Sequence, residues 1–324
     1  MGRSKLPHET LPVLFATDRE MKGREEEGGV FLNTRGIHRE PYFGIVGLSF
    51  PESVPSSDEA KEDDPVVDDP KVMTRIAWRS ALDRGIMQSS GKSVLLFVHG
   101  YQNDFDDSMR AAASFSKSIS FDGVVISYSW PSQAKILGYD ADSATLESSA
   151  SRLAIVINEI FSHTHVNKVY MVAHSMGAHI LSDALIRAYA SNKNLKENLS
   201  ELIFAAPDID EQYFKEEIAP QLVGIAKNIT LYCSKDDLAL SISRGLHGGY
   251  RRIGDCTGAI SDLKNIEIID ASDVDTTLLG HSYIKTSKSI TRDIFYLINK
   301  NMRARDRYGM IRIGQGEYWK YIDK

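Results

Sequence analysis

A chain of 324 residues with 42% hydrophobic and 25% charged side chains is typical of a soluble globular protein, and it is long enough for one large α/β domain. The formal net charge of −6 argues against nucleic acid or an anionic membrane as a partner, because both require a basic face. The two cysteines, Cys233 and Cys256, imply no disulfide framework and are expected to be reduced thiols. No apolar run has the length of a signal peptide or a membrane span, so a cytoplasmic protein is expected.

In the first half of the chain, short apolar runs predict strands and apolar residues at helical spacing predict helices, in alternation. The predicted strands are 11–16, 42–50, 94–98 and 123–128, and the predicted helices are 72–86, 108–119 and 142–161. A polar loop is expected over 20–29. Residues 51–70 are Pro-, Ser- and acid-rich with almost nothing apolar to bury, which predicts a flexible acidic insertion.

Residues 168–182, KVYMVAHSMGAHILS, predict a buried strand, a sharp turn and a helix in direct succession. Ser175 lies at the apex of the turn, which is the context of the G-x-S-x-G nucleophile motif. Such a turn requires small neighbours. Gly177 meets this requirement, whereas Ala173 replaces the usual glycine. Taken alone, the motif is equally consistent with a serine that caps the helix.

The second half continues the alternation and ends in a basic tail. The predicted strands are 202–206, 228–234 and 266–269, and the predicted helices are 211–226 and 284–302. A Gly-rich loop is expected over 241–264. Because apolar strands alternate with helices, the sequence predicts a mostly parallel central sheet with helices on both faces, in a single α/β domain over residues 1–324.

Polar residues follow four of the predicted strands, at the edge where open α/β sheets collect their reactive groups. In chain order they are the loop that begins at His99, then Ser175, then Asp208 or Asp237, and finally His281. An oxyanion loop, a serine, an acid and a histidine in this order are expected of an α/β-hydrolase. The combination favours a catalytic role for Ser175 over the helix cap.

Each of these residues has a role in acyl transfer. Ser175 is a poor nucleophile as a neutral alcohol and needs a base to take its proton. His281 is the best candidate, since an imidazole titrates near neutral pH and the loop after the last strand can reach over the sheet. Asp237 is the preferred acid to orient the imidazole, and Asp208 is the alternative acid.

The predicted oxyanion and substrate sites involve the residues around these groups. The N–H of Met176, at a helix start, and the N–H of Tyr101 are the expected oxyanion donors. Tyr101, Trp130 and His247 are candidate substrate-binding residues. Trp130 is equally consistent with a core residue.

The segments FVHGY, AHSMG, AAPD, SKDDLAL and GHSY together resemble the α/β-hydrolase superfamily. The segments LFATDR, FGIVGLSFP, VHGYQNDFDD, SYSWPS and SRGLHGG are similar to a bacterial group within it, catalogued as domain of unknown function nine hundred, over about 13–298. The acidic segment 52–70 departs from that pattern. The resemblance implies an α/β-hydrolase fold, a triad of Ser175, Asp237 and His281, and an esterase- or lipase-like activity without a cofactor.

The expected function is therefore an esterase-like serine hydrolase that cleaves an ester or related acyl bond of a small molecule, with no metal. The alternative is a catalytically silent scaffold that binds an acyl ligand or a protein partner. A lipase that acts at lipid surfaces would need an apolar lid, and the short segment 132–140 offers few apolar side chains. The sequence leaves the acyl length and the oligomeric state open.

Overall fold

The computed structural model describes residues 10–23, 30–50, 64–133, 142–163, 165–246, 248–256, 260, 263–273, 288–313 and 316–322. Its strands are β1 (Thr10–Thr17), β2 (Arg19–Lys22), β3 (Val30–Arg35), β4 (Tyr42–Ser49), β5 (Val66–Val67), β6 (Lys71–Met73), β7 (Ser93–Val98), β8 (Val124–Ser129), β9 (Lys168–His174), β10 (Leu199–Ala205), β11 (Ile229–Cys233), β12 (Glu267–Asp270), β13 (Met310–Arg312) and β14 (Tyr318–Tyr321). Its α-helices are α1 (Arg75–Gln88), α2 (Phe105–Ser118), α3 (Leu146–Phe161), α4 (Gly177–Ser191), α5 (Leu195–Asn198), α6 (Glu211–Tyr213), α7 (Ala219–Val223), α8 (Leu238–Leu246) and α9 (Lys288–Asn299).

One large sheet organises the fold. Its strand order is β13-β14-β12-β11-β10-β9-β7-β8-β1-β4-β5, with β6 also paired to β4. Every neighbouring pair from β14 to β1 is parallel, and antiparallel pairs occur only toward the two edges. The prediction of a mostly parallel central sheet is confirmed.

Both faces of this sheet are covered, because successive side chains of a strand point to opposite faces. On β7, Leu96 belongs to the hydrophobic cluster that contains Trp78 of α1 and the buried residues of α3 and α4. Its neighbour Leu95 belongs to the cluster that contains Met109 of α2 and the buried residues of α9. A central strand between two cores must be apolar at every position, as the VLLFV run of β7 is.

The parallel arrangement brings the carboxyl ends of the central strands to one edge. β7, β9, β10 and β11 end there at Val98, His174, Ala205 and Cys233. The residues that follow these ends form the candidate site.

Several segments predicted to be irregular contain regular structure. The segment 241–264 contains most of α8, whose start is capped by the Asp237 carboxylate accepting a hydrogen bond from the Leu240 N–H at 3.0 Å. Val66–Val67 pair with β4 inside the predicted insertion 51–70, of which residues 51–63 lie outside the described ranges. The predicted basic tail supplies β13 and β14, and β14 joins the main sheet beside β12.

Cys233 and Cys256 form a disulfide bond, so the prediction of reduced thiols is wrong. They are 23 positions apart in sequence, and their Cα atoms are 5.1 Å apart. A 3₁₀ turn at Ile253–Asp255 packs against the end of β11, where the Ser234 N–H donates to the Gly254 carbonyl at 3.0 Å. Disulfides persist mainly in oxidising compartments, so the cytoplasmic location stays a prediction that this bond does not favour.

None of the helices in the described ranges has the length and apolar character that crossing a bilayer requires.

Candidate active site

Ser175 lies in the sharp turn between β9 and α4, with its backbone in the left-handed region at φ +50°. This conformation is strained for a residue with a side chain, and it persists only when the surroundings fix it. The Ser175 N–H donates to the Ala205 carbonyl at 3.0 Å, and the Ser175 carbonyl accepts from the N–H groups of Ala178 and Asp208 at 3.0 and 3.2 Å. The half-buried serine is thus anchored to β10 on one side and to α4 on the other.

Two glycines let the loop after β7, residues 99–103 (the β7 loop), pack directly against this turn. A β-carbon built at Gly177 would lie 2.3 Å from the His99 carbonyl oxygen, which no real side chain could accept. A β-carbon built at Gly100 would lie 2.5 Å from His174 Nδ1 and 3.0 Å from Ser175 Cβ. The small residue required at position 177 therefore makes room for the β7 loop beside the candidate nucleophile.

His99 holds the β7 loop. Its fully buried ring stacks on Trp130 with a centroid distance of 5.1 Å and an interplanar angle of 5°. Nδ1 lies 2.7 Å from the Gly100 carbonyl oxygen, and Nε2 lies 3.1 Å from the Trp130 carbonyl oxygen. Burial lowers the pKa of His99 well below 6.5, so the ring is neutral. A neutral imidazole has one N–H, so the ring fixes the loop through its stacking on Trp130 and a hydrogen bond to one of these two carbonyls.

Trp130 and Tyr101 take different positions around this loop. Trp130 has no exposed surface, and its indole N–H donates to the His99 carbonyl at 2.7 Å. Its burial matches the core alternative rather than the predicted substrate contact. Tyr101 is half-buried and packs against the cluster that contains Trp78, so it remains a candidate for both of its predicted roles.

Asp208, the alternative acid, is engaged in a buried ion pair. Its Oδ1 accepts from Arg252 Nε at 2.6 Å and from Ser243 Oγ at 2.7 Å. Its backbone carbonyl accepts from Arg252 Nη2 at 3.0 Å. Both side chains of the pair are at most 7% exposed, so the ion pair fixes the segments around residues 243 and 252 next to the nucleophile turn.

Asp237, the preferred acid, follows the neighbouring strand β11 and is less deeply buried. Its Oδ1 caps α8 through the Leu240 N–H, and its carbonyl accepts from the Ser241 N–H at 3.1 Å. An ionised carboxylate offers about four lone-pair positions, so a cap of this kind leaves capacity for an imidazole N–H.

His281, the predicted base, and His247, a predicted substrate-binding residue, are outside the described residues. Within the described ranges, no group of three or more His, Cys, Asp and Glu side chains is arranged to hold a metal ion.

The family model described as "Alpha/beta hydrolase of unknown function (DUF900)" matches residues 74–300, more than two thirds of the chain. The chain belongs to this family of α/β hydrolases. The match agrees with the sheet topology, and it confirms both the predicted fold and the predicted family.

Three proteins that resemble this chain share little sequence with it. An uncharacterised protein of Nostoc sp. (alr1448) is 24% identical over 147 residues, and this match spans 38% of either chain. Among solved structures, Est1E from Butyrivibrio proteoclasticus is 12% identical with a TM-score of 0.39, over 64% of this chain and 87% of that one. A lipase-esterase related protein from Clostridium acetobutylicum is 11% identical with a TM-score of 0.36, over 65% and 94% of the two chains.

The structure also brings to the site residues that the sequence reasoning missed. Asn103 lies in the β7 loop, and Arg19, Ser132 and Asp142 lie around it; all four are at most 3% exposed. The signal for the first three was present in the segments LFATDR, VHGYQNDFDD and SYSWPS, which carry the family resemblance. A buried arginine beside buried carboxylates cannot be recognised from sequence, because such side chains are usually solvated.

Proposed function

We propose that the protein is an esterase-like serine hydrolase that forms an acyl intermediate on Ser175. The observation that carries the proposal is the strained turn at Ser175, which packs against the β7 loop at the carboxyl edge of a parallel sheet. Strain of this kind is typical of functional sites, and an exposed serine between a strand and a helix is the nucleophile geometry of α/β hydrolases. A helix cap alone requires neither the left-handed conformation nor the glycine-mediated contact, since cap residues have an extended backbone.

In the proposed reaction, the Ser175 oxygen attacks the carbonyl carbon of an ester while His281 takes the hydroxyl proton. The tetrahedral intermediate collapses when the bond to the leaving alcohol breaks, and that alcohol leaves with the proton from the imidazolium. Water then repeats the sequence on the acyl-enzyme, which releases the acid and restores the serine. No redox step or cofactor is required.

The number of residues between β12 and His281 is compatible with this role. His281 comes eleven positions after Asp270, where β12 ends, and seven positions before Lys288, where α9 begins. An extended chain covers about 3.3–3.6 Å per residue, so eleven residues reach about 36–40 Å at most. Only β11 and β10 separate β12 from β9, which amounts to about 14 Å at about 4.8 Å per strand.

Asp237 is the acid that we propose for the triad. The Asp208 carboxylate already serves as the buried counter-ion of Arg252 and also accepts from Ser243. Asp237 lies after β11, the strand next to β12, and β12 is the last described strand before His281 in the chain.

The proposed oxyanion donors are the N–H groups of Met176 and Tyr101. Met176 directly precedes α4, and the first N–H groups of a helix have no acceptor within the helix. These groups carry the positive end of the helix dipole, which stabilises a negative oxygen.

A fluorophosphonate probe tests the nucleophile. We expect it to label the wild-type protein, and to label the Ser182→Ala variant equally, because the hydroxyl of that buried serine of α4 donates to the Ala178 carbonyl of its own helix. The Ser175→Ala variant should not be labelled. Equal labelling of Ser175→Ala and wild type would remove Ser175 from the mechanism.

Two asparagine variants test the acid. Asp237→Asn should lower kcat for a p-nitrophenyl ester by about 10⁴, as loss of the orienting carboxylate does in serine hydrolases, with little loss of stability. Asp208→Asn breaks a buried ion pair, so it should lower the free energy of unfolding by about 3–5 kcal/mol while the folded fraction keeps most of its kcat. The reverse pattern would assign the acid to Asp208.

A further inference from the structure

Buried side chains hold the carbonyl groups of the β7 loop. The Gly100 carbonyl oxygen lies 2.7 Å from His99 Nδ1 and accepts from Asn103 Nδ2 at 3.3 Å. The Tyr101 carbonyl accepts from the same Asn103 Nδ2 at 2.8 Å. In a trans peptide the C=O and N–H point in opposite directions, so a Gly100 carbonyl fixed toward His99 turns the Tyr101 N–H to the other side.

Asn103 contacts the loop carbonyls through its amide donor group. It is 2% exposed, both loop contacts use its Nδ2, and within the described part of the chain its buried Oδ1 has no hydrogen-bond partner. Leaving a buried acceptor without a partner costs about 1–3 kcal/mol, so stability alone would not select this side chain.

Arg19 follows the end of β1 at the same sheet edge and anchors Asn103. Its Nη2 donates to the Asn103 carbonyl at 2.8 Å, and its Nε donates to Ser129 Oγ at 2.8 Å, at the end of β8. Its Nη1 donates to Asn33 Oδ1 at 2.7 Å. Burial lowers the pKa of Arg19 to about 10, so the guanidinium stays charged at neutral pH. The planar fork ties β1, β8 and the β7 loop into one rigid unit.

Ser132 and Asp142 hold the next peptide of the loop. Gln102 has a left-handed backbone at φ +64°, and its N–H donates to Ser132 Oγ at 2.8 Å. The Ser132 hydroxyl donates to Asp142 Oδ2 at 2.7 Å, which leaves its lone pairs for Gln102. Burial raises the pKa of Asp142 to about 6, so at neutral pH the group is an ionised carboxylate, which accepts the hydrogen bond from the Ser132 hydroxyl.

We propose that Asn103, Ser132, Arg19 and Asp142 are positioning residues, which lock the peptide planes of the β7 loop so that the Tyr101 N–H faces the oxyanion formed at Ser175. This inference rests on the proposed function. A flip of the Gly100–Tyr101 peptide would present a carbonyl oxygen in place of an N–H beside the developing negative charge. The network prevents the flip because Asn103 Nδ2 binds the carbonyls of Gly100 and Tyr101.

Two near-isosteric variants test the network without removing Arg19, whose many contacts make its loss a risk to folding. Asn103→Asp keeps the size but replaces the donor group with an oxygen that repels both loop carbonyls. Ser132→Ala removes the acceptor for the Gln102 N–H. The matched control is Ser127→Ala, a fully buried serine whose hydroxyl donates to the Ser108 carbonyl instead.

The readouts are kcat and KM for p-nitrophenyl butyrate, Ki for a butyl trifluoromethyl ketone that forms a tetrahedral adduct, and the thermal midpoint by circular dichroism. We expect kcat to fall about 10–100-fold in both variants with KM within about twofold, because the lost contact is made only in the transition state. The Ki of the ketone should rise by the same factor. Ser127→Ala should keep the wild-type kcat and Ki.

Variants that keep the wild-type kcat, or in which KM rises instead, would overturn the positioning role. A fall in kcat without a matching rise in Ki would do the same, because a merely structural loss does not track the affinity for the tetrahedral adduct. The proposed function fails separately, when the wild-type protein neither reacts with a fluorophosphonate nor hydrolyses the ester. If the wild-type protein is labelled by the fluorophosphonate and the variants keep its kcat and Ki, only the positioning role is refuted.

Discussion

Reduction of the bond between Cys233 and Cys256 should lower the free energy of unfolding by about 3 kcal/mol. A cross-link removes conformational entropy from the unfolded chain by an amount that grows with the logarithm of the loop length, and for a separation of 23 positions this amounts to about 3 kcal/mol at 25 °C. Both cysteines are at most 1% exposed, so a reductant reaches them only when the chain opens. The effect should therefore appear in equilibrium unfolding rather than on brief exposure of the native protein.

Urea unfolding with and without a phosphine reductant measures this difference. With a slope of about 3 kcal/mol per molar urea, the midpoint of the wild-type protein should move down by about 1 M in the reductant. The doubly substituted Cys233→Ala, Cys256→Ala protein should have the same midpoint in both conditions. An unchanged wild-type midpoint, or two thiols that react with Ellman's reagent in urea without reductant, would refute the reasoning.

Three further changes have defined outcomes. Gly177→Ala should abolish esterase activity, because its β-carbon would lie 2.3 Å from a backbone oxygen of the β7 loop. The control Gly245→Ala, whose β-carbon would have no atom within 4 Å, should keep activity and stabilise α8 by up to about 1 kcal/mol. Equal activities of the two variants would contradict the packing argument. Burial raises the pKa of Glu201 to about 7, so this group stabilises the fold fully below about pH 4.5. Its contribution to the free energy of unfolding declines by up to about 3 kcal/mol as the pH rises to about 7. Denaturation across this range should show that the free energy of unfolding depends less on pH in Glu201→Gln, but not in the exposed control Glu197→Gln. Trp130→Phe keeps a stacked ring but loses the indole hydrogen bond, so calorimetry should show a loss of about 1–3 kcal/mol, and an unchanged stability would mean that this bond is not formed.

The disulfide also has a place in the proposed chemistry. Cys233 ends the strand that leads to Asp237, and Cys256 follows the turn whose Arg252 pairs with Asp208. The bond thus joins the segment that leads to Asp237 to the segment whose Arg252 holds Asp208.

The sequence alone determined the features that depend on short-range pattern. The apolar runs of β7 and β9 are buried on both faces, so each position is apolar and the strand is recognisable locally. The turn at Ser175 is also local, because a left-handed apex between strand and helix demands small neighbours, and Gly177 follows two residues later. The family resemblance extended these local motifs to the whole fold.

Only the tertiary structure decided which polar side chains meet. Arg19 reaches Asn103 across 84 positions, and Arg252 reaches Asp208 across 44, because the strands before these residues end at the same sheet edge. The sequence did not predict α8, because glycines lie around it and its apolar face is recognised only from the packing. Charged residues carry no periodic signal of burial, since their usual place is in water, and their partners are set by the order of the strands rather than by neighbours in the chain.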